Sequence, residues 1–215
     1  MTPFMLRDRA HAAKLLTDLL KAYKGTDTII LAIPRGGVPI GYEIAKALEL
    51  PLEIVLAKKI GHPSNPEYAI GAVTPDDTFL DEEARHIAPE YIREETRRLK
   101  IELESRLNRF MPGRKLTSLK AKNVIIVDDG IATGRTLIAC IKSIKRKNPA
   151  RVIIAAGVAS AHAAAVLKPL VDDFICPHAA PDFHAVGQFY LNFPQVGDRE
   201  VIKMLQEARS YRTET

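Results

Sequence analysis

The chain has 215 residues, 47% of them hydrophobic and 27% charged, a composition typical of a globular protein with one hydrophobic core. Its net charge of +5 favours an anionic partner, but it has no tryptophan and no Lys/Arg-rich block interleaved with aromatic residues, which argues against nucleic acid. No segment approaches the roughly 20 apolar residues of a membrane span, and residues 1–9 lack the apolar core of a signal peptide. We therefore expect a cytoplasmic protein without a membrane partner.

The first quarter of the chain predicts a helix followed by a βαβ unit. An amphipathic segment, Asp8 to Tyr23, precedes a short apolar run, Thr28 to Ile33, which a Pro/Gly-rich break then ends. A helical pattern from Val38 to Leu48 leads into a second apolar run, Leu52 to Ala57, that suits a buried parallel strand.

The middle of the chain is expected to add smaller elements to this unit. We predict a loop from Gly61 to Pro66 and then a hairpin built from Ala69 to Val73 and Thr78 to Leu80. The following segment, Asp81 to Phe110, is charged and helical with a break near Pro89. One apolar stripe at helical spacing consists of Ile92, Leu99, Leu103 and Phe110. Residues 81–112 thus form a helical insertion, either a lid that docks by one face or a solvated helix packed permanently on the core.

The alternation of strands and helices resumes after the insertion. The predicted elements are strands at Asn123 to Val127, Val152 to Val158 and Asp173 to Cys176, and helices at Thr136 to Lys147 and Ala161 to Leu170. This order predicts an α/β fold, a mostly parallel sheet flanked by helices, which carries the small hairpin and the charged insertion within one domain of residues 1–215. Ligands of such sheets bind at the carboxyl ends of the strands, so the site is sought in the loops that follow them.

The loop after Val127 carries the clearest chemical signal. The strand ends in two adjacent acids, Asp128 and Asp129, and a loop rich in Gly and Thr then opens a helix. Backbone N–H groups at a helix N-terminus, aided by the helix dipole, form a site for a phosphate monoester. Two carboxylates would repel that ligand unless they faced sugar hydroxyls or a metal ion, so their position indicates a phosphorylated sugar. The alternative is an ordinary turn in which Asp129 or Thr133 caps the helix.

Residues Val124 to Thr136 resemble the binding motif for 5-phosphoribosyl-1-diphosphate (PRPP) in type I phosphoribosyltransferases, an apolar strand, two acids and a loop that closes in Thr-Gly-x-Thr. The resemblance implies that Asp128 and Asp129 hold the 2- and 3-hydroxyls of the ribose and that the backbone of Ala132 to Thr136 wraps the 5-phosphate. The PRPP-binding residues at this loop are then Asp128, Asp129, Gly130, Ile131, Ala132, Thr133, Gly134, Arg135 and Thr136.

A second loop is expected on the diphosphate side. Residues Pro34 to Gly37 follow the first core strand and open a helix, and the corresponding loop of the family binds the leaving diphosphate through its backbone. The resemblance therefore adds Arg35, Gly36 and Gly37 to the PRPP-binding residues, with N–H groups supplied by the two glycines. A strand-ending turn without a ligand is the alternative.

Two lysines, Lys58 and Lys59, are expected to close the second core strand at the same edge of the sheet. Since side chains alternate along a strand, at most one of them should contact diphosphate directly. The implied catalytic residues are Asp128, Asp129, Arg35, Lys58 and Lys59. Just beyond the lysines, His62, Asn65 and Glu67 are either site residues or parts of a Pro-bracketed loop.

The resemblance implies displacement of diphosphate from the ribose C1 through an oxocarbenium-like transition state. Mg²⁺ is the implied cofactor, bound mainly by diphosphate and ribose oxygens, with Asp128 and Asp129 as indirect metal ligands. Hypoxanthine-guanine enzymes of the family carry an aspartate where this chain has Ala132, so a different acceptor chemistry is favoured.

The acceptor is expected under a hood, which residues 81–112 or a C-terminal segment, residues 178–200, would form. Phe183, Phe189 and Tyr190 are the candidates for stacking on a planar base, and burial in the core is their alternative role.

From Arg7 to about Val201 the chain also resembles a bacterial subgroup of phosphoribosyltransferase-like proteins with no assigned acceptor. Its segments are Pro34 to Pro39, Lys58 to Pro63 and Glu67 to Val73. The implied activity is that of a pentosyltransferase of nucleotide metabolism, which transfers the 5-phosphoribosyl group of PRPP to a nitrogenous acceptor such as a purine or pyrimidine base. The alternative is a non-catalytic PRPP sensor that binds nucleic acid or protein. Homodimers are common in the family, and the sequence leaves the oligomeric state open.

Overall fold

The structure, a computed structural model, describes residues 4–113 and 116–210, and the structural statements below refer to these residues. Within them lie six α-helices, α1 (Arg9–Leu19), α2 (Gly37–Leu48), α3 (Pro89–Phe110), α4 (Arg135–Lys145), α5 (Ala161–Leu167) and α6 (Asp198–Ser210). The strands are β1 (Thr28–Ala32), β2 (Leu52–Ile54), β3 (Lys58–His62), β4 (Asn65–Val73), β5 (Thr78–Leu80), β6 (Asn123–Asp128), β7 (Arg151–Ala156), β8 (Ala159–Ser160), β9 (Asp173–Ile175) and β10 (Ala179–Ala180). Short 3₁₀ turns cover Lys21–Tyr23, Glu82–His86, Lys168–Leu170 and Val186–Phe189.

Five strands form a parallel central sheet in the order β2-β1-β6-β7-β9. Because side chains alternate along each strand, neighbouring residues of β1 enter different cores. Ile30 packs with α1, α2 and α6 on one face, whereas Ile29 and Leu31 pack with α4 and α5 on the other. The predicted α/β fold, a mostly parallel sheet flanked by helices, is confirmed.

The second core strand is shorter than predicted. β2 ends at Ile54, and Lys58 and Lys59 belong instead to β3, which pairs antiparallel with β4. The reason is that β1 ends at Ala32, so the residues after Val55 have no neighbour in the central sheet and pair with the hairpin. The expected position of both lysines at the carboxyl end of a core strand was therefore wrong.

The expected loop from Gly61 to Pro66 is mostly strand for the same reason. Gly61 lies at an irregularity of the β3–β4 ladder, where a Cβ would come 2.6 Å from the carbonyl oxygen of Pro66. The predicted β4–β5 hairpin is confirmed, and together with β3 it forms a separate three-stranded antiparallel sheet.

The charged insertion folds as a 3₁₀ turn followed by the long helix α3, which begins at Pro89, a residue suited to the first helical turn. The apolar stripe is confirmed, with Leu99, Leu103 and Phe110 buried and Ile92 half-buried against the core. Among the described helices, none is both long enough and apolar enough to cross a bilayer.

Leu6, just before α1, pairs with a segment near the C-terminus, residues 189–191. The N–H of Leu6 donates to Phe189 O and the N–H of Leu191 donates to Leu6 O, both at 2.8 Å. This pairing brings the start of α1 beside the C-terminal segment and, through it, next to the carboxyl end of β6. α6 was not predicted from the sequence, although Val201 and Leu205 have helical spacing and are buried.

Candidate functional site

Two of the predicted loops meet at the carboxyl edge of the central sheet, because β1 and β6 are neighbours. A Cβ on Gly36 would lie 1.9 Å from Oδ2 of Asp129, and one on Gly37 would lie 2.5 Å from Val127 O. Both glycines are thus fixed by close packing against the residues that end β6. The structure therefore brings the 34–37 loop and the two acids into direct contact.

Asp129 is held by groups that the sequence did not point to. Arg9 donates to Oδ2 of Asp129 from Nε at 2.9 Å and from Nη2 at 2.8 Å, and the side chains of Arg9 and Asp129 are only 11% and 12% exposed. The hydroxyl of Tyr190 donates to the carbonyl oxygen of Asp129 at 2.7 Å. Asp129 therefore connects α1 and the C-terminal segment to the end of β6, in addition to being a candidate ligand group.

Arg9 is itself fixed by the C-terminal segment. Its Nη1 donates to Pro194 O at 2.7 Å, and its Cζ lies 3.9 Å from the centroid of the Phe193 ring. An arginine at the start of α1 carries no local motif, and its partner is 120 residues away, so sequence reasoning had no signal for it.

Asp128 lies at the end of β6, where its Oδ1 accepts a hydrogen bond from the N–H of Asp129 at 2.9 Å. Burial, and then the neighbouring charge of Asp129, raise the pKa of Asp128 well above its ordinary value. The ionised carboxylate is therefore unfavourable unless a proton, a metal ion or hydroxyl donors compensate its charge. Two adjacent acids of this kind suit the recognition of a polyol.

The phosphate loop is anchored at its start and exposed further on. The N–H of Ile131 donates to Val158 O at 3.0 Å, and Ser160 Oγ donates to Ala132 O at 2.7 Å. A Cβ on Gly130 would come 2.4 Å from Val186 of the C-terminal segment. Gly130 and Ile131 are thus engaged within the fold.

The rest of that loop is exposed to solvent, apart from the buried Gly134. Gly134 has a φ of 71° and precedes α4, and Ala132, Thr133, Arg135 and Thr136 are exposed. The N–H groups of the first helical turn have no partner inside the helix, so they are suited to an anion.

The loop after β1 turns its arginine away from the two acids. The peptide bond between Pro34 and Arg35 is cis, and Nη1 of Arg35 lies 3.5 Å from Oδ1 of Asp198 at the start of α6. The N–H of Gly37 donates to Ile33 O at 3.0 Å. The expected donation from Gly37 to diphosphate is therefore not available in this geometry, while Gly36 keeps its candidate role.

The two lysines point to different partners. Lys58 pairs with Glu102 of α3, and Nζ of Lys59 lies 3.1 Å from Oε2 of Glu67. Glu67 also binds Nη1 of Arg135 at 2.6 Å and so links the hairpin to the phosphate loop. The structure does not gather both lysines at the acid pair, since their described ion pairs are with these two glutamates.

The candidate aromatic residues lie mostly in the core. Phe189 and Tyr190 are 7% and 5% exposed and pack among core side chains, so the expected stacking role of these two rings is wrong for this conformation. Phe183 is half-buried, with its ring centroid 5.0 Å from that of Phe189. Of the three, only Phe183 keeps accessible surface for a planar ligand.

Within the described residues, no three or more His, Cys, Asp or Glu side chains gather in a way that could hold a metal ion. Asp128 and Asp129 remain a pair of hard oxygen donors, which suits an indirect role toward Mg²⁺ that arrives with a phosphorylated ligand.

The acid pair and the glycine-containing loop lie together at the carboxyl edge of a parallel α/β sheet, where ligands of such sheets bind. A family model described as the phosphoribosyl transferase domain matches residues 6–194. The chain belongs to this family, as its sequence motifs implied.

The chain is similar to proteins of Mycobacterium tuberculosis and Thermus thermophilus. A Mycobacterium tuberculosis protein (strain H37Rv) named "Putative phosphoribosyl transferase Rv0571c" is 35% identical over 205 residues, which cover 94% of this chain and 46% of the relative. Its counterpart in strain CDC 1551 has the same identity and coverage, so this chain spans about half the length of both. The crystal structure of TT1426 from Thermus thermophilus is similar to this chain with a TM-score of 0.87 and 36% identity, covering 94% of this chain and 98% of that one.

Proposed function

We propose that the protein transfers the 5-phosphoribosyl group of PRPP to a nitrogenous acceptor, such as a purine or pyrimidine base, and releases diphosphate. One observation carries this proposal. The loop that would hold the diphosphate and the acids that would hold the ribose are in direct contact at Gly36 and Asp129, so a single ligand of PRPP size can span both. The family membership supports the transferase class.

The phosphate end of PRPP would lie on the exposed part of the loop before α4. Backbone N–H groups and the hydroxyls of Thr133 and Thr136 would donate to the 5-phosphate, and the positive end of the helix dipole would add to the attraction. The contact between Arg135 and Glu67 would hold the hairpin against this loop.

The ribose would lie over the acid pair. Asp128, with its raised pKa, would accept from one hydroxyl, and Asp129 would keep its position through Arg9 and Tyr190. Fixing the sugar in this way would present C1 to the acceptor on one face and to the departing diphosphate on the other. As the C1–O bond breaks, positive charge develops on the sugar ring, and two nearby carboxyl groups would favour it.

Mg²⁺ would be held mainly by the oxygens of PRPP, with Asp128 and Asp129 as indirect protein ligands. Bound there, the ion would neutralise charge on the leaving diphosphate.

The acceptor would approach near Ala132, with Phe183 as the candidate stacking residue. We place the protein in the cytoplasm, where a phosphorylated substrate would reach it, and propose a homodimer as its assembly.

A diphosphate-release assay tests this function. The purified protein is incubated with PRPP and Mg²⁺, and release is followed across a panel of purine and pyrimidine bases. Release that requires one base would support the enzyme and identify its acceptor class. Binding of PRPP without release for any base would instead favour the non-catalytic sensor, which needs the phosphate loop but not a route for the leaving group.

A further inference from the structure

The two acids at the end of β6 have different surroundings. The Asp129 side chain is only 12% exposed, and its Oδ2 accepts two hydrogen bonds from Arg9, from Nε at 2.9 Å and from Nη2 at 2.8 Å. Asp128 is half-buried, and its Oδ1 accepts a hydrogen bond from the N–H of Asp129 at 2.9 Å. Within the described residues, no ion pair reaches the Asp128 carboxylate. One acid is therefore bound to a cation of the protein, and the other is not.

The guanidinium of Arg9 is held on its other sides as well. Its Nη1 donates to Pro194 O at 2.7 Å, and its Cζ lies 3.9 Å from the centroid of the Phe193 ring. The Arg9 side chain is 11% exposed, so it has little room to follow a moving partner. Separating Arg9 from Asp129 would leave two buried charges uncompensated, which is strongly destabilising. The ion pair should therefore persist when a ligand binds.

Asp129 is fixed from two further directions. The hydroxyl of Tyr190 donates to its carbonyl oxygen at 2.7 Å. A Cβ on Gly36 would lie 1.9 Å from Oδ2 and 2.4 Å from Cγ of Asp129, so the carboxylate packs directly against the glycine backbone. A side chain packed this closely does not turn toward a sugar without displacing the loop after β1. The contacts of Asp129 are thus committed to the protein.

The charge of the acid pair matters for a phosphorylated sugar. Two ionised carboxylates repel the phosphate of such a ligand, and the buried guanidinium of Arg9 cancels one of the two negative charges. We propose that the acids are unequal: Asp128 binds the ribose hydroxyls, whereas Arg9 and Asp129 form a positioning pair. This inference rests on the proposed function and differs from the family resemblance, which implies that both acids bind hydroxyls.

Calorimetric titration of the full chain with two sugar phosphates tests this division. Ribose 5-phosphate and 2,3-dideoxyribose 5-phosphate differ only in the two hydroxyls, so the ratio of their affinities measures the hydroxyl contacts alone. Asp128→Asn should lower this ratio by about tenfold, because a charge-assisted hydrogen bond becomes a weaker neutral one. Asp129→Asn should leave the ratio within about twofold of the wild-type value, even where lost structure weakens the binding of both sugars.

The two ways to fail are distinct. An equal fall of the ratio in Asp128→Asn and Asp129→Asn would overturn the proposal and leave the proposed function standing, because both acids would then bind the sugar. A wild-type protein that binds the two sugars with equal affinity would contradict the ribose site itself, and with it the proposed function.

A second titration tests the charge of the positioning pair. Arg9→Gln leaves Asp129 as an unpaired anion near the ligand, so ribose 5-phosphate should bind about tenfold more weakly than to the wild-type protein. Arg7→Gln is the matched control, since Arg7 is exposed and its guanidinium has no ion pair among the described residues. An Arg9→Gln affinity equal to that of the control would overturn the role of Arg9.

The double variant Arg9→Gln with Asp129→Asn decides how Asp129 acts. It removes the unpaired anion, so it should bind ribose 5-phosphate at least as tightly as Arg9→Gln alone. A direct contact between Asp129 and the sugar would instead make the double variant bind more weakly, and this result would overturn the proposal. Circular dichroism checks that each variant folds, and the two acid variants keep Arg9, so the hydroxyl test stands if Arg9→Gln does not fold.

Discussion

The contact between Gly36 and Asp129 allows a direct test of how the two loops depend on each other. In Gly36→Ala the new Cβ would lie 1.9 Å from Oδ2 and 2.4 Å from Cγ of Asp129, below the 3.0 Å that real Cβ contacts respect. A carboxylate at the end of a free side chain would simply rotate away. Here Arg9 holds it with two hydrogen bonds at 2.8 and 2.9 Å, so a shift of the carboxylate breaks or distorts that ion pair.

The size of the effect follows from these contacts. Overpacking a well-packed site costs about 1–3 kcal/mol. Separating a buried ion pair costs about 3–5 kcal/mol, and the Arg9 and Asp129 side chains are only 11% and 12% exposed. Since the clash can be relieved by a partial shift, we expect Gly36→Ala to lower the free energy of unfolding by about 3 kcal/mol, between these two ranges.

Urea denaturation followed by circular dichroism measures this loss. Gly197→Ala is the matched control, because a Cβ there would meet nothing within 4 Å, and it should stay within about 0.5 kcal/mol of the wild-type protein. The double variant with Asp129→Ala removes the clashing carboxylate, so Gly36→Ala should cost less in that background. A Gly36→Ala protein as stable as the control would mean that the Asp129 carboxylate moves aside without losing its ion pair with Arg9.

Three further outcomes are expected. The pKa of Asp128 is raised in the folded state, so the folded protein loses stability as the pH rises from the ordinary pKa of an aspartate to this raised pKa. Asp128→Asn removes this loss and should raise Tm more at about pH 8 than at about pH 4. An equal change of Tm at both pH values would contradict the raised pKa. Tyr190→Phe removes the hydrogen bond to Asp129 O and should cost about 1 kcal/mol in denaturant unfolding. Burial raises the pKa of Cys140 to about 12, so a thiol reagent should modify it only as the protein unfolds, and rapid native-state labelling would argue against its burial.

The features that the sequence predicted well are local ones. The strand, acid pair and loop from Val124 to Thr136 are adjacent in the chain, so apolar periodicity and turn residues define them without knowledge of the rest of the fold. The break before α3 was likewise placed correctly, because Pro89 favours the first turn of a helix.

The features that were missed depend on distant partners. Lys58 and Lys59 pair with β4 and not with the central sheet, because β1 ends at Ala32. The local sequence around the two lysines does not indicate where β1 ends. The ion pair between Arg9 and Asp129 joins residues 120 positions apart. The spacing of Val201 and Leu205 was a readable signal for α6. No sequence signal indicated that Asp198 of this helix forms ion pairs with Arg35 and Arg109.

These long-range contacts also change how a mutation of the acid pair should be designed. Asp129→Asn would weaken the ion pair with buried Arg9, so lost ligand binding could reflect lost structure. Asp128 has its hydrogen bond from the adjacent backbone N–H of Asp129 and no ion pair within the described residues. Asp128→Asn is therefore the cleaner probe of the ribose contact.

Calorimetric titration with PRPP and Mg²⁺, on the wild-type protein and on Asp128→Asn, tests the central claim most directly. We expect one PRPP per chain for the wild-type protein and an affinity at least about tenfold lower for the variant, because an amide accepts more weakly than a carboxylate from the ribose hydroxyls. An absence of PRPP binding by the wild-type protein, or equal affinities for the two proteins, would contradict the assignment of the loop after β6 as the phosphoribosyl site.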